Sequence, residues 1–290
     1  SSTGGPGATS TVLIRGANAG HALTLIDGFR VSSASLGQTT FEGLPLAHVQ
    51  RLELLRGPAS SLYGADALGG VIQLFTPSAS PGLRGFGEAA AGGEGTRQLR
   101  GGVSGGNATV TASVRLSRDR SDGFNATTPG NFAYHPDRDG YRRDGVSARI
   151  DARLAPDTQL RAIALQNRLE SQYDDGNFAN ARVDARTELL GLKAVHALDA
   201  VTTLEARVGQ TTDRSKNFGN FPGSFESRLM QYGVSATREF GDRLQAQLLA
   251  ERLEERVDSL SYQGTGADDR TTNSIGLIVT GDRGAHRLQA

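Results

Sequence analysis

The sequence has no cysteine and no tryptophan, and aromatic residues make up only 6% of its 290 positions. Without cysteine, disulfides, thiolate zinc sites and thiol catalysis are excluded for these residues. Lysine plus arginine and aspartate plus glutamate both total 31, and no basic stripe indicates a nucleic-acid partner. No apolar run approaches the roughly 18 residues that a transmembrane helix requires. A helical membrane protein is therefore excluded.

Sequence motifs for a zinc site or a phosphate loop are also lacking. The five histidines form no H-x-x-x-H pair and have no cysteine partner. The glycine-rich residues 64–70 lack the lysine of a phosphate loop and precede a strand pattern instead of a helix. We therefore expect a protein that is not an enzyme and requires no cofactor.

Glycine is abundant, with 38 residues, and it is distributed over two regions of different pattern. Residues 1–77 alternate short apolar strands, predicted at 11–15, 23–26, 51–55 and 71–75, with glycine turns and one helical turn at 46–50. A Pro/Ser/Gly linker follows at 78–82, and residues 83–290 form the second region. The first region is predicted to be a small α/β domain.

The second region consists of long segments in which apolar and polar residues alternate, as at Val146, Ala148 and Ile150. Tight turns carry aspartates at 157, 199, 242 and 282, spaced 42, 43 and 40 residues apart. Longer polar loops are predicted at about 119–140, 173–184, 215–225 and 258–270. Long loops alternating with short turns are typical of bacterial outer-membrane barrels, although a soluble sandwich shares the alternation. We predict about ten strands and the start of an eleventh, with apolar faces outward.

Residues 52–72, LELLRGPASSLYGADALGGVI, carry a family resemblance, together with VLIRG at 12–16 and LIDG at 25–28. They resemble the plug motifs of TonB-dependent outer-membrane receptors. The resemblance implies a mainly β protein of the bacterial outer membrane: a transmembrane antiparallel β-barrel, present as its first half, with a small α/β plug in its lumen. The low aromatic content departs from the aromatic girdles of such barrels.

Within that family, RGANAGH at 15–21 and PLAHVQR at 45–51 resemble the cobalamin transporters. The resemblance implies binding of a scarce large nutrient, cobalamin or another corrinoid, and its import with energy from TonB, ExbB and ExbD. Ferric siderophores, haem or an oligosaccharide are alternative ligands. A passive binding or adhesion barrel is the alternative of another class. We expect the TonB-contacting segment and the later barrel strands to lie outside these residues, with outer-membrane lipid around the barrel.

Two arginines and two turns are the candidate plug sites. Arg15 and Arg56 offer planar guanidinium groups to barrel carboxylates, with solvated side chains as the alternative. The turns at 17–21 and 32–38 are expected to face outward, and the resemblance implies that they contact the ligand. Ordinary solvated turns are the alternative. The candidate ligand-binding residues are Asn18, Ala19, Gly20, Ser32, Ser35 and Gln38.

Acidic residues mark candidate metal ligands in the loops. Asp174, Asp175 and Asp184 share one predicted extracellular loop, and Asp213 opens the next. Calcium takes six to eight oxygen ligands, which such loops are able to supply. The resemblance implies calcium at these positions, and a hydrated loop of ordinary negative charge is the alternative.

Overall fold

The computed structural model describes residues 4–5, 7–33, 37–44, 46–57, 65–176, 178–241, 243–261, 264–283 and 286–289. They form two β-sheets with a few short 3₁₀ turns. In this part of the chain no helix has both the length and the apolar character needed to cross a membrane.

The first region forms a four-stranded sheet, here called the plug sheet. Its strands are β1 (Ala22–Ile26), β2 (Phe29–Arg30), β3 (Arg51–Arg56) and β4 (Gly70–Phe75). Their order is β2-β1-β4-β3, with β1 and β4 parallel and the other pairs antiparallel. Asp27 and Gly28 join β1 to β2 with φ angles of 50° and 91°. Positive φ at both central residues suits a tight hairpin, which explains the Asp-Gly pair.

The strand predicted at residues 11–15 is wrong. Arg15 and Gly16 have φ angles of 52° and 76°, and the Ala17 amide donates to the Ile14 carbonyl at 3.0 Å. These values belong to a turn. Positive φ at two successive residues breaks the extended backbone that a strand requires. Ile14 is nevertheless buried in the core, so the apolar pattern reports its burial and not a strand.

The second region forms an antiparallel sheet, here called the barrel sheet, whose eleven described strands pair in chain order. Its strands are β5 (Gly82–Ala91), β6 (Arg97–Gly106), β7 (Val110–Phe124), β8 (Asp139–Ala155), β9 (Thr158–Gln172), β10 (Arg182–Ala197), β11 (Thr202–Phe218), β12 (Gly223–Phe240), β13 (Leu244–Ser261), β14 (Gly264–Arg283) and β15 (His286–Gln289). On β8, Ile150 is 47% exposed whereas Arg149 is 8% exposed and faces the plug. On β8 the prediction of an apolar face turned away from the plug is confirmed, whereas β9 turns Ile163 and Leu165 toward the plug.

The connections between strands alternate in length, which gives the sheet two distinct ends. Residues 107–109, 156–157 and 198–201 form short turns at one end, here called the turn end. Residues 125–138 and 173–181 form the longest connections at the other, the loop end.

Two loops predicted to be longer are wrong in extent. Between β11 and β12 the connection is only 219–222, and β13 continues to Ser261. The polar segments stay extended because charged side chains pair across strands, as Arg214 does with Glu226 at 2.8 Å. Polarity was therefore a signal of solvent exposure and not of irregular structure.

The two sheets share one apolar core. Ile26 and Phe29 of the plug sheet pack in one cluster with Ile163, Leu165 and Leu189 of the barrel sheet. These three barrel residues lie on the inward face of β9 and β10. Burial of apolar area against the barrel wall thus fixes where the plug lies.

Candidate functional site

Phe29 lies at the centre of the contact between plug and barrel. Its side chain is 1% exposed, and its ring lies against Gly191 and Gly209, which pair directly across β10 and β11. A Cβ atom added at either glycine would lie 2.5 Å or 2.4 Å from the ring. The glycine pair therefore forms a slot that admits the ring because no side chain fills it. We call this feature the Phe29 slot.

Asp27 holds the turn end of the plug. Its carboxylate accepts hydrogen bonds from the amide and the hydroxyl of Thr76 and lies 3.6 Å from the Arg149 guanidinium. Arg149 also donates to the Thr76 carbonyl at 3.0 Å and to Asp151 at 2.6 Å. Burying this carboxylate is tolerated because each of its oxygens has a donor. The network joins the hairpin, the end of β4 and the barrel wall.

Arg30 forms a second anchor, here called the Arg30 anchor. Its side chain and that of Glu251 are 7% and 9% exposed, and their nearest atoms are 3.2 Å apart. Arg207 donates to the other Glu251 oxygen at 2.9 Å, as does the Gln231 amide. The Arg30 backbone is held too, because its amide donates to Gln231 and its carbonyl accepts from the Thr211 hydroxyl. One barrel carboxylate thus joins a plug arginine to the barrel wall.

His48 forms a third anchor. Its Nδ1 lies 2.6 Å from the Ser147 hydroxyl and its Nε2 lies 2.9 Å from the Ser117 hydroxyl. Burial, and secondly the charge of Arg115, lowers the pKa of His48 to about 4. The imidazole is therefore neutral at pH 7, with one ring nitrogen as donor and the other as acceptor. Serine hydroxyls suit either role, so the pair satisfies the buried ring.

Asp213 belongs to this contact surface and not to a loop. It lies within β11, is buried, and accepts a hydrogen bond from the Thr187 hydroxyl at 2.9 Å. The Ser33 hydroxyl of the plug hydrogen-bonds to it as well. The prediction that Asp213 opens the loop after β11 is wrong, because that strand continues five residues further to Phe218.

The two plug turns proposed as ligand contacts lie side by side at the loop end. A Cβ atom on Gly20 would lie 2.7 Å from the Gly37 carbonyl oxygen, which shows how closely the turns approach. Strand β1 runs from these turns toward Gly28, which lies beside Lys193 near the turn end. Gly7 contacts Tyr141 and Ser171 beneath the long loops and marks the opposite side of the plug. The turns therefore face the loops.

Of the six candidate ligand-binding residues, Asn18 is exposed, and Gly20, Ser32 and Gln38 are half-buried. Ala19 lies in the 3₁₀ turn Ala19–His21, and Ser35 lies outside the described residues. The Ser33 amide donates to the Gln38 carbonyl at 3.0 Å, which closes the second turn. Ligand contact by these residues stays a prediction.

Arg15 and Arg56 lie away from the described barrel wall. Both are exposed, and within the described residues neither forms an ion pair. Arg15 lies beside Gly57, so the two candidate arginines share one edge of the plug. That edge includes β3, the strand farthest from β2 in the plug sheet. Their docking role stays a prediction.

The four aspartates predicted as metal ligands lie at different places in the structure. The carboxylates of Asp174, Asp137 and Asp139 each place an oxygen within 4.8 Å of the others. Asp175 instead accepts from the Asn220 amide at 2.6 Å and so joins two loops. Asp184 lies on β10, 3.6 Å from Arg182. Of the four predicted ligands, only Asp174 belongs to this described acidic cluster.

Comparison with known proteins identifies the family. Residues 1–71 match the model of the TonB-dependent Receptor Plug Domain. Over 282 residues the chain is 32% identical to the Vitamin B12 transporter BtuB of Photobacterium profundum, covering 95% of this chain and 45% of that protein. Residues 1–71 are thus a plug domain of the TonB-dependent receptor family. Receptors of this family are β-barrel proteins of the outer membrane of Gram-negative bacteria.

Solved structures of TonB-dependent receptors share the fold. The ferric enterobactin receptor PfeA of Pseudomonas aeruginosa aligns with a TM-score of 0.77 at 17% identity, covering 95% of this chain and 49% of that one. The siderophore receptor PiuA of Acinetobacter baumannii aligns with a TM-score of 0.71 at 14% identity, covering 97% and 50%. The chain spans about half the length of the relatives that it matches.

Sequence reasoning missed the residues that hold the plug. Arg30, His48 and Glu251 resemble solvated residues when only the sequence is available, because their partners lie far away along the chain. One signal was present for the Phe29 slot: Gly191 and Gly209 interrupt alternating strands. An isolated glycine within a strand often marks close approach by another element.

Proposed function

We propose that the receptor containing this chain binds a cobalamin or another corrinoid at the outer surface of its plug and imports it into the periplasm. Work for import would come from the inner-membrane proton gradient through TonB, ExbB and ExbD. The similarity to a vitamin B12 transporter along 95% of this chain carries the proposal. Residues 15–21 and 45–51, which prompted the cobalamin interpretation, lie within the matched plug.

The geometry of the plug supports this function. Long loops face the exterior in outer-membrane barrels, so the turns at 17–21 and 32–38 lie on the external side. They are small and polar, and they offer amide and hydroxyl groups to a large polar ligand. The anchors of Asp27, Arg30 and His48 hold the plug against the barrel beneath them. Ligand binding at the external turns and remodelling of the plug from the periplasmic side would thus act on one hydrogen-bonded unit.

The first prediction concerns ligand affinity. In the complete receptor, Asn18→Trp and Gln38→Trp should each raise the Kd for cyanocobalamin by about tenfold or more, through lost hydrogen bonds and steric obstruction. Isothermal titration calorimetry measures the change. Ala108→Trp, in the exposed turn between β6 and β7, is the matched control and should bind as the parent does.

Three results would contradict the proposal. Unchanged cyanocobalamin affinity in both plug variants would remove the turns from the binding surface. Tight binding of ferric enterobactin without binding of cyanocobalamin would assign the receptor to siderophores. Uptake that persists after the tonB gene is deleted would favour a passive barrel.

We further propose that the acidic cluster of Asp137, Asp139 and Asp174 binds calcium and orders the long loops. Both carboxylate oxygens of Asp174 are buried without a hydrogen-bond partner among the described residues. Three carboxylates within 4.8 Å repel one another, and a divalent cation would offset that repulsion. Oxygen-only ligands suit calcium.

The second prediction tests this cluster. Calcium at one hundred times its Kd should stabilise the complete receptor by about 2.7 kcal/mol, raising its Tm, and EDTA should reverse the effect. Asp174→Asn should abolish the rise. Asp157→Asn, in an exposed turn at the opposite end, should retain it. If calcium does not change the Tm of the parent receptor, the three aspartates form a hydrated acidic cluster and not a calcium site.

A further inference from the structure

The outer face of the barrel sheet changes from apolar to charged at one height along several strands. On β9 the outward residues Ala162 and Ala164 are followed by Gln166, Arg168 and Glu170 toward the loop end. Neighbouring strands show the same change because their residues pair in register. The arginines of this outward band, here called the arginine belt, are Arg97, Arg118, Arg120, Arg142, Arg168, Arg186, Arg214, Arg228 and Arg256.

Most belt arginines have a carboxylate partner on the same face. Arg118 donates to Asp144 at 2.5 Å, and Arg186 donates to Glu188 at 2.6 Å. Arg168, Arg120 and Arg97 differ: within the described residues their side chains have no ion pair or hydrogen bond, and of the three Arg168 lies at the middle of the belt. One guanidinium at the middle of the belt therefore remains available for an external anion.

Because of its position, Arg168 without a bound anion is expected to destabilise the sheet. It stands directly opposite Arg186 across β9 and β10. Across β8 and β9 it stands opposite Asp144, whose carboxylate pairs instead with Arg118 and Arg142. Like charges directly opposite in a sheet destabilise the pair. An anion bound between the two guanidinium groups would reverse this repulsion, and arginine binds phosphate with two parallel hydrogen bonds.

Two outward grooves meet at Arg168. One, of about 840 Å³, is lined also by Arg118, Gln166 and the apolar side chains of Leu116 and Val146. The other, of about 450 Å³, places Arg186, Arg214 and Lys216 against three carboxylates, Asp184, Glu226 and Asp258. Charge lies toward the loop end of the first groove and apolar surface lies beside it, which matches a molecule with an anionic head and an apolar tail.

We propose that Arg168 and Arg186, with Arg118 in the adjoining groove, bind the phosphate group of a lipid in the external leaflet. The apolar surface beside the belt faces hydrocarbon in an outer-membrane barrel, so the belt lies at the height of lipid headgroups. Basic clusters at that height attract anionic headgroups. The charged belt also occupies the level at which an aromatic girdle is expected, in a chain poor in aromatic residues. The inference rests on the membrane position of the barrel and not on transport.

The third prediction tests lipid binding with the complete receptor in detergent micelles. Mixed micelles containing bisphosphorylated lipid A should raise the Tm of the parent, and native mass spectrometry should show the lipid bound. The variant with both Arg168→Gln and Arg186→Gln should bind about tenfold less lipid. Arg238→Gln is the matched control, because Arg238 is an exposed arginine at the turn end of β12. It should bind lipid as the parent does.

Several outcomes would overturn the inference. Dephosphorylated lipid A that binds equally well would show that the phosphate is not recognised. Inorganic phosphate that gives the same rise in Tm would make the site one for the free anion. Equal lipid binding by the double variant would remove Arg168 and Arg186 from the surface. Cyanocobalamin affinity, measured on the same samples, reports separately on ligand recognition and on correct folding.

Discussion

Valine at both Gly191 and Gly209 is expected to expel the Phe29 ring from the Phe29 slot and to loosen the plug. A Cβ atom at either position would lie within 2.5 Å of the ring, so the ring has to leave or the strands have to separate. Overpacking of a core costs about 1–3 kcal/mol per site. Removing the ring itself, as in Phe29→Ala, should cost about 3–5 kcal/mol.

A thiol reporter measures this loss. The chain has no cysteine, and Thr24 of β1 is fully buried with no described partner for its hydroxyl. In a complete receptor free of other reactive thiols, Thr24→Cys should react only when the plug sheet opens. The glycine variants should lower the urea concentration at which labelling reaches half-maximum.

Two comparisons make the test specific to the slot. Gly87→Val on β5 is the matched control, since a Cβ there would meet nothing within 4 Å, and its labelling midpoint should match the parent. Adding Phe29→Ala to the valine pair should cost little more, because residues in contact couple and the ring has already lost its site. If the losses of stability from the valine pair and from Phe29→Ala are fully additive, the valines do not act through the Phe29 ring.

The sequence predicted the parts of the fold that repeat. Alternation at residues 146–154 assigned the outward face of β8 correctly, since lipid-facing and lumen-facing positions differ in polarity. The plug motifs likewise placed β1, β3 and β4, whose apolar residues are local and continuous. Residues 11–15 misled the prediction because burial of Ile14 imitates a strand pattern while Gly16 ends it.

The anchors were beyond the reach of sequence patterns. Arg30 and Glu251 are 221 positions apart, and each lies in a segment rich in ordinary polar residues. Their pairing depends on the register of β11, β12 and β13 and on how deeply the plug enters the barrel. Neither is a local property of the chain. Asp174 was predicted to bind metal, but Asp137 lies just before β8 and Asp139 is the first residue of β8, and only the fold brings them near Asp174.

Glu251→Ala is expected to release the Arg30 anchor. The carboxylate is shared by Arg30 at 3.2 Å and by Arg207 at 2.9 Å, and Gln231 donates to it as well. Its removal leaves the buried Arg30 guanidinium with only the half-exposed Asp66 as a charge partner, at 3.1 Å. Breaking a buried ion pair by removing one member costs about 3–5 kcal/mol, because the remaining charge stays desolvated.

The Thr24→Cys labelling midpoint in urea measures this loss, and the same strand supplies its control. Glu254→Ala removes an outward carboxylate of β13 whose Arg252 partner is 52% exposed. An exposed pair is worth about 0–1 kcal/mol, so the midpoint should barely move. If both glutamate variants shift the midpoint equally, general weakening of β13 explains the loss.

Replacing both members of the pair separates a missing contact from a stranded charge. In the variant with Arg30→Met and Glu251→Met, no desolvated guanidinium remains on the plug, and methionine fills similar volume. Buried pairs replaced by apolar residues often retain stability, so this variant should unfold at higher urea than Glu251→Ala alone. The Arg30 backbone would still donate to Gln231 and accept from Thr211, which keeps the plug in register. A double variant weaker than Glu251→Ala would show that the charges themselves hold the plug in the barrel.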